Sequence, residues 1–125
     1  MQVKDGILKA AIREAKKSEH HQATIGAVIF KGNKIISKGF NALRHCSKIK
    51  PQFKEFYNSI HAEQRAILSV NGSIKGYDIL VVRLKKDGSY GLAKPCDMCQ
   101  GFIEFKKLRY VYYTTDEGTI ERERV

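Results

Sequence analysis

Asp78-Ile79-Leu80-Val81-Val82-Arg83-Leu84 is an apolar, β-branched run of strand length. Lys85-Lys86-Asp87-Gly88-Ser89-Tyr90-Gly91 follows and reads as a loop. Pro95 then sits where a helix begins, and Cys96 to about Lys106 reads as that helix. Arg109-Tyr110-Val111-Tyr112-Tyr113-Thr114 is a further strand. A strand, a helix and a strand in this order make a crossover, which favours parallel strands with the helix on one face of the sheet.

The flanks extend the same pattern. Upstream, His61 to about Val70 reads as a helix, with Asn71-Gly72 supplying the usual left-handed C-terminal cap. Before it, Thr24-Ile25-Gly26-Ala27-Val28-Ile29-Phe30 is nearly continuous apolar sequence, as expected of a strand covered on both faces. The turn residues Lys31-Gly32-Asn33-Lys34 join it to Ile35-Ile36-Ser37-Lys38-Gly39-Phe40-Asn41, giving a β-hairpin. Ala42 to Asn58 reads mostly as loop. Near the start, Ile7, Leu8, Ala11, Ile12 and Ala15 recur at helical spacing, so Asp5 to about Ser18 reads as an amphipathic helix covering one side of the sheet, with Asp5 as its N-cap. Downstream, Asp116-Glu117-Gly118 turns the chain, and Thr119 to Arg124 reads as a last strand, antiparallel because only a tight turn precedes it. These elements predict an α/β fold of three layers, a mixed sheet of about five strands between helices. The 125 residues suit one domain spanning 1–125.

Composition narrows the setting. The 23 Lys and Arg residues against 13 Asp and Glu give a net charge of +10, a bias that favours phosphorylated or polyanionic partners. No apolar run reaches membrane-spanning length and no signal-peptide pattern opens the chain, so no membrane partner is expected. Three cysteines, two of them in Cys96-x-x-Cys99, make no disulfide framework; they point to a reducing compartment, the cytoplasm, and to a metal site.

His61-Ala62-Glu63 and Pro95-Cys96-Asp97-Met98-Cys99 carry the chemistry. Together they offer one imidazole, two thiols a helical turn apart, and one carboxylate. His61, Cys96 and Cys99 suit one Zn²⁺, and three ligands leave a coordination position open for water, the mark of a catalytic site. Cys96 and Cys99 open a helix, where the dipole favours thiolates. Glu63, two residues beyond His61, points to another side of the helix and should not chelate the same ion. A closed structural site would need a fourth ligand, for which Cys46, His45, His20 and His21 are the candidates.

This combination of His-x-Glu with Pro-Cys-x-x-Cys resembles the zinc-dependent cytidine and deoxycytidylate deaminases, from roughly Thr24 to Thr114. The resemblance implies the cytidine-deaminase-like fold and hydrolytic deamination of cytosine to uracil. It implies that Glu63 takes a proton from water, delivers it to N3 of the base and helps ammonia leave. The backbone N–H groups around Ala62 and Cys96 become candidate partners for the base. Asn41 stands where relatives commonly have an Asn that contacts the sugar. Lys94, before Pro95, departs from the Ser or Glu frequent in relatives, and that position shapes the pocket floor.

Two substrates compete. One is a free (deoxy)cytidine nucleotide such as dCMP. The other is cytosine in single-stranded DNA or RNA, which needs a basic groove and aromatic platforms. For the latter stand the net charge, the stretch in which Arg44, His45, Lys48, Lys50 and Lys54 alternate with Phe53, Phe56 and Tyr57, and Tyr112-Tyr113. Adenine deamination, as in tRNA-acting relatives that share Met98, comes third. An inactive zinc module gripping nucleic acid comes last, since it has no use for Glu63. Homo-oligomers are common in the family, and no segment of the sequence identifies an interface.

Overall fold

A computed structural model describes residues 3–18, 24–43 and 59–125. In chain order its elements are α1 (Asp5–Lys16), β1 (Thr24–Lys31), β2 (Lys34–Phe40), β3 (Ala42–Leu43), β4 (Ser59–Ile60), α2 (Ala62–Leu68), β5 (Asp78–Leu84), β6 (Tyr90–Gly91), α3 (Asp97–Phe105), β7 (Tyr110–Thr114) and β8 (Ile120–Arg124). The main sheet runs β2-β1-β5-β7-β8, with β6 as a short addition beside β5. Among the described residues the β5–β7 pair alone is parallel, joined by the expected crossover through α3. β2 and β5 also point the same way, but β1 lies between them antiparallel to both. β8 folds back antiparallel on β7, as the tight turn predicts.

Strand alternation builds the three layers. Val28 and Phe30 of β1, Leu80 and Val82 of β5 and Tyr112 of β7 face α1 and pack on Ile7, Ala10, Ala11 and Ala15. Ala27 and Ile29, Ile79 and Val81, and Val111 and Tyr113 face the other side, against Ala62, Ala66 and Ile67 of α2 and Ile103 of α3. Covering both faces explains the continuous apolar runs of the central strands. It also corrects the reading of Tyr112 and Tyr113 as base-stacking platforms. Both rings are core residues, 5% and 8% exposed, and the Tyr113 hydroxyl donates to Glu123 Oε1 at 3.0 Å.

Several boundaries move, each for a local reason. Lys4 is the N-cap of α1 and Asp5 lies in its first turn, where its charge still complements the helix dipole. Ala42 and Leu43, expected in a loop, pair with Ile60 and Ser59. Asn71-Gly72 does not cap α2; the helix stops at Leu68 with Ser69 in the right-handed region, and Gly72 takes its positive φ of 109° in the turn beyond. Tyr90-Gly91, also expected in a loop, returns on β5 through the Asp87-Gly88 turn, where Gly88 has φ 86°. Pro95 precedes the N-cap Cys96 of α3 and does not open the helix itself.

Helix α3 contains Gly101, and a Cβ built there meets no atom within 4 Å. Gly101→Ala is therefore expected to raise unfolding stability by about 0.5–1 kcal/mol, because alanine loses less backbone entropy in a helix. Denaturant titration measures this directly. The basic stretch from Arg44 to Tyr57, and the alternative ligands His20, His21, His45 and Cys46, lie outside the described residues. Among the described residues no helix is long and apolar enough to cross a membrane.

Candidate active site

The short β3–β4 ladder decides the site's geometry. Pairing Ala42 with Ile60 places Asn41 and His61, well separated in sequence, at the same end of the fold. Asn41 is anchored further, since its backbone N–H donates to Ile25 O at 3.1 Å and its Oδ1 accepts from Ile25 N at 2.9 Å. His61 is the N-cap of α2, and its backbone N–H donates to Gln64 Oε1 at 3.4 Å. Gln64 Nε2 also reaches Met98 Sδ at 3.7 Å, which ties the start of α2 to the start of α3.

The starts of those helices supply the ligand set. His61 Nδ1 lies 3.2 Å from Cys99 Sγ and 3.7 Å from Cys96 Sγ, and the three donor atoms lie within 4.8 Å of one another. A tetrahedral zinc with ordinary Zn–N and Zn–S bonds separates neighbouring N and S donors by roughly 3.5 Å. The cluster therefore fits a single zinc ion. Its donor chemistry asks for one too. Cys99 is fully buried, and burial, with Glu63 and Cys96 close by, pushes its thiol far above the ordinary cysteine range. A bound divalent cation is what would hold Cys99 there as a thiolate. Cys99→Ser is accordingly expected to take zinc from one per chain to near none, as read by elemental analysis of the purified protein.

Glu63 joins the same cavity from the first turn of α2, 5% exposed. Burial raises its pKa; its own backbone N–H, the nearby His61 and a hydrogen bond with Cys99 oppose that rise. The carboxyl is thus held beside the donor cluster without being part of it: among the described residues that cluster is His61, Cys96 and Cys99.

A cavity of about 230 Å³ opens over this group, just below the usual size of small-molecule sites. Asn41, His61, Glu63, Lys94 and Cys96 line it together with Ile25, Val81, Arg83, Leu92 and Ala93. It lies at the carboxyl end of β5, the usual ligand side of an open α/β sheet. Ala62 is 1% exposed and packs in the core without lining the cavity. Its wall before α3 is fixed by Thr114, whose buried hydroxyl donates to Gly91 O at 2.7 Å and whose carbonyl accepts from Ala93 N at 2.9 Å. Lys94 is paired with Glu123 at 3.1 Å. The lining residue that motif reading missed is Arg83. Its signal was a charge near the end of an otherwise apolar strand.

Comparison with known proteins agrees with this geometry. Residues 1–115 match the family described as the cytidine and deoxycytidylate deaminase zinc-binding region. An uncharacterized deaminase encoded in the luxG 3′ region of Aliivibrio fischeri is 30% identical over 99 residues; the match takes in 76% of this chain and 60% of the relative's length. Cytidine deaminase from Burkholderia pseudomallei superposes with a TM-score of 0.67 at 20% identity, covering 98% of this chain and 93% of that one. The dCMP deaminase of cyanophage S-TIM5 does so with a TM-score of 0.57 at 20% identity, covering 90% and 86%. At these identities the solved structures share the fold. By the match over nearly its whole length, the chain belongs to the zinc-binding cytidine and deoxycytidylate deaminase family.

Proposed function

We propose that the protein hydrolyses the C4 amino group of cytosine in a free (deoxy)cytidine nucleotide of the dCMP type, giving the uracil nucleotide and ammonia. The observation that carries this reading is Glu63: a buried carboxyl beside Cys99, facing the same cavity as His61 and Cys96. A bound zinc supplies Lewis acidity that makes water a competent nucleophile near neutral pH. Glu63 takes the proton of that water and passes it to N3 of the base as the oxygen bonds to C4. The second water proton goes to the exocyclic nitrogen, the C4–N bond breaks, and ammonia leaves. Raising the carboxyl's pKa by burial suits this traffic, because a group that must both accept and return a proton works best near the operating pH.

The remaining lining residues orient the base. Ile25 and Val81 offer apolar surface, Asn41 lines the same cavity and is assigned to the sugar, and the backbone N–H of Cys96 is assigned to the base. The free-nucleotide reading is favoured over the strand reading because Tyr112 and Tyr113 are core residues. The cyanophage protein has been solved in complex with dCMP and dUMP, which supports the same choice by analogy of fold.

The test offers zinc-loaded protein dCMP, cytidine and a cytosine-containing single-stranded DNA, with products read by mass spectrometry at low and moderate salt. Conversion of dCMP in preference to the oligonucleotide is the expected result. Preferred conversion of the oligonucleotide, weakening as salt rises, would replace this reading with a polynucleotide deaminase.

A further inference from the structure

Among the described residues lining the cavity, Arg83 is a charged group that the proton transfers above do not use. It shares a sheet face with Val81, two residues earlier, and its register partners are Ile25 on β1 and Gly91 on β6. The glycine matters: a Cβ at Gly91 would stand 3.0 Å from Arg83 Cδ and 3.2 Å from Cγ. Without that carbon, the arginine stem lies across β6 and the side chain reaches the cavity it lines. Its Nε is buried and has no hydrogen-bond partner among the described residues. Nor does it join any of their ion pairs, whereas Lys94, the other cation of the lining, is already paired with Glu123.

A guanidinium stays charged at any physiological pH, and leaving one of its buried N–H groups without an acceptor is unfavourable. Its planar fork matches a phosphate in two hydrogen bonds at once. We propose that Arg83 binds the 5′-phosphate of the substrate, so that the site selects cytosine nucleoside monophosphates over nucleosides. This rests on the deaminase reading of the cavity and deepens it by assigning the residue that reads the phosphate.

The probe is the product pair dUMP and deoxyuridine, which differ only in the phosphate, titrated by calorimetry into zinc-loaded protein. Wild type is expected to bind dUMP roughly 10–100-fold more tightly than deoxyuridine. Arg83→Gln should narrow that ratio to within about 3-fold, and Arg83→Lys should fall between, because a point charge survives while the fork is lost. An unchanged ratio in Arg83→Gln overturns the proposal. So does an equal fall in both affinities, which would assign Arg83 to the base or to the fold. A wild type that binds both compounds alike, yet loses affinity for a uracil-containing single-stranded DNA in Arg83→Gln, places the phosphate in a strand and overturns the monophosphate assignment. Binding separates this inference from the catalytic one. A clear dUMP preference that Arg83→Gln abolishes, without turnover of dCMP, upholds Arg83 and removes the proposed chemistry; turnover of dCMP without phosphate preference does the reverse.

Discussion

Glu63→Gln is expected to lower kcat on dCMP by about 10²–10⁴-fold, the usual worth of a positioned acid–base group, while zinc stays bound. The two halves of this expectation have separate causes. Glutamine keeps the volume of a side chain only 5% exposed, so the core around α2 has no cavity to close. The metal donors His61, Cys96 and Cys99 are all untouched. What goes is the group that can take a proton from water and return it to N3 and to the leaving nitrogen. Elemental analysis and steady-state kinetics on one preparation check both halves. Retained turnover would move the proton shuttle elsewhere, and joint loss of zinc and activity would make Glu63 part of the ligand set.

Gly39→Ala is expected to do more damage than its size suggests, though it removes no functional group. Gly39 lies in β2 under α2, and an added Cβ would stand 2.6 Å from Ala66 N and 2.7 Å from Ala62 O. These are backbone atoms of the helix that carries Glu63 and follows His61, so no rotamer change relieves the clash. The helix must lift, which also strains the bond from Ser37 Oγ to Ala66 O at 2.7 Å. Overpacking of this kind costs about 3 kcal/mol, the upper part of its usual range and a large share of a small domain's stability. A shift of the catalytic group by about 1 Å can cost on the order of 10² in rate. Urea unfolding and kcat should therefore fall together in this variant. The same substitution at Gly101, in open space, is expected to stabilise.

The contrast between those glycines marks where sequence reading stops. The strand over Asp78–Leu84 was legible to the residue, because a strand covered on both faces announces itself as an unbroken apolar run. The ligand set was legible as well, since His61, Cys96 and Cys99 bring their own chemistry whatever positions them. What determines that position was not legible. The β3–β4 ladder is two residues long on each side, too short for a periodic signal, yet it sets Asn41 near His61. Gly39 reads as an ordinary strand glycine and Gly91 as a loop residue, and their roles, seating α2 and making room for Arg83, depend on contacts between elements distant in sequence. Tyr112 and Tyr113 were ambiguous for a related reason. Strand tyrosines serve a core or a surface equally well, and only the helices on both faces decide.

The most direct test of the central claim is a single reaction run in heavy-oxygen water. Zinc-loaded protein is mixed with dCMP, and the products are followed by mass spectrometry with ammonia assayed in parallel. The proposed chemistry predicts dUMP carrying one heavy oxygen at C4, with one ammonia released for each dUMP formed. It also predicts that Glu63→Gln, zinc still bound, yields neither at a comparable rate. Unaltered dCMP after prolonged incubation with zinc-replete wild-type protein would contradict it.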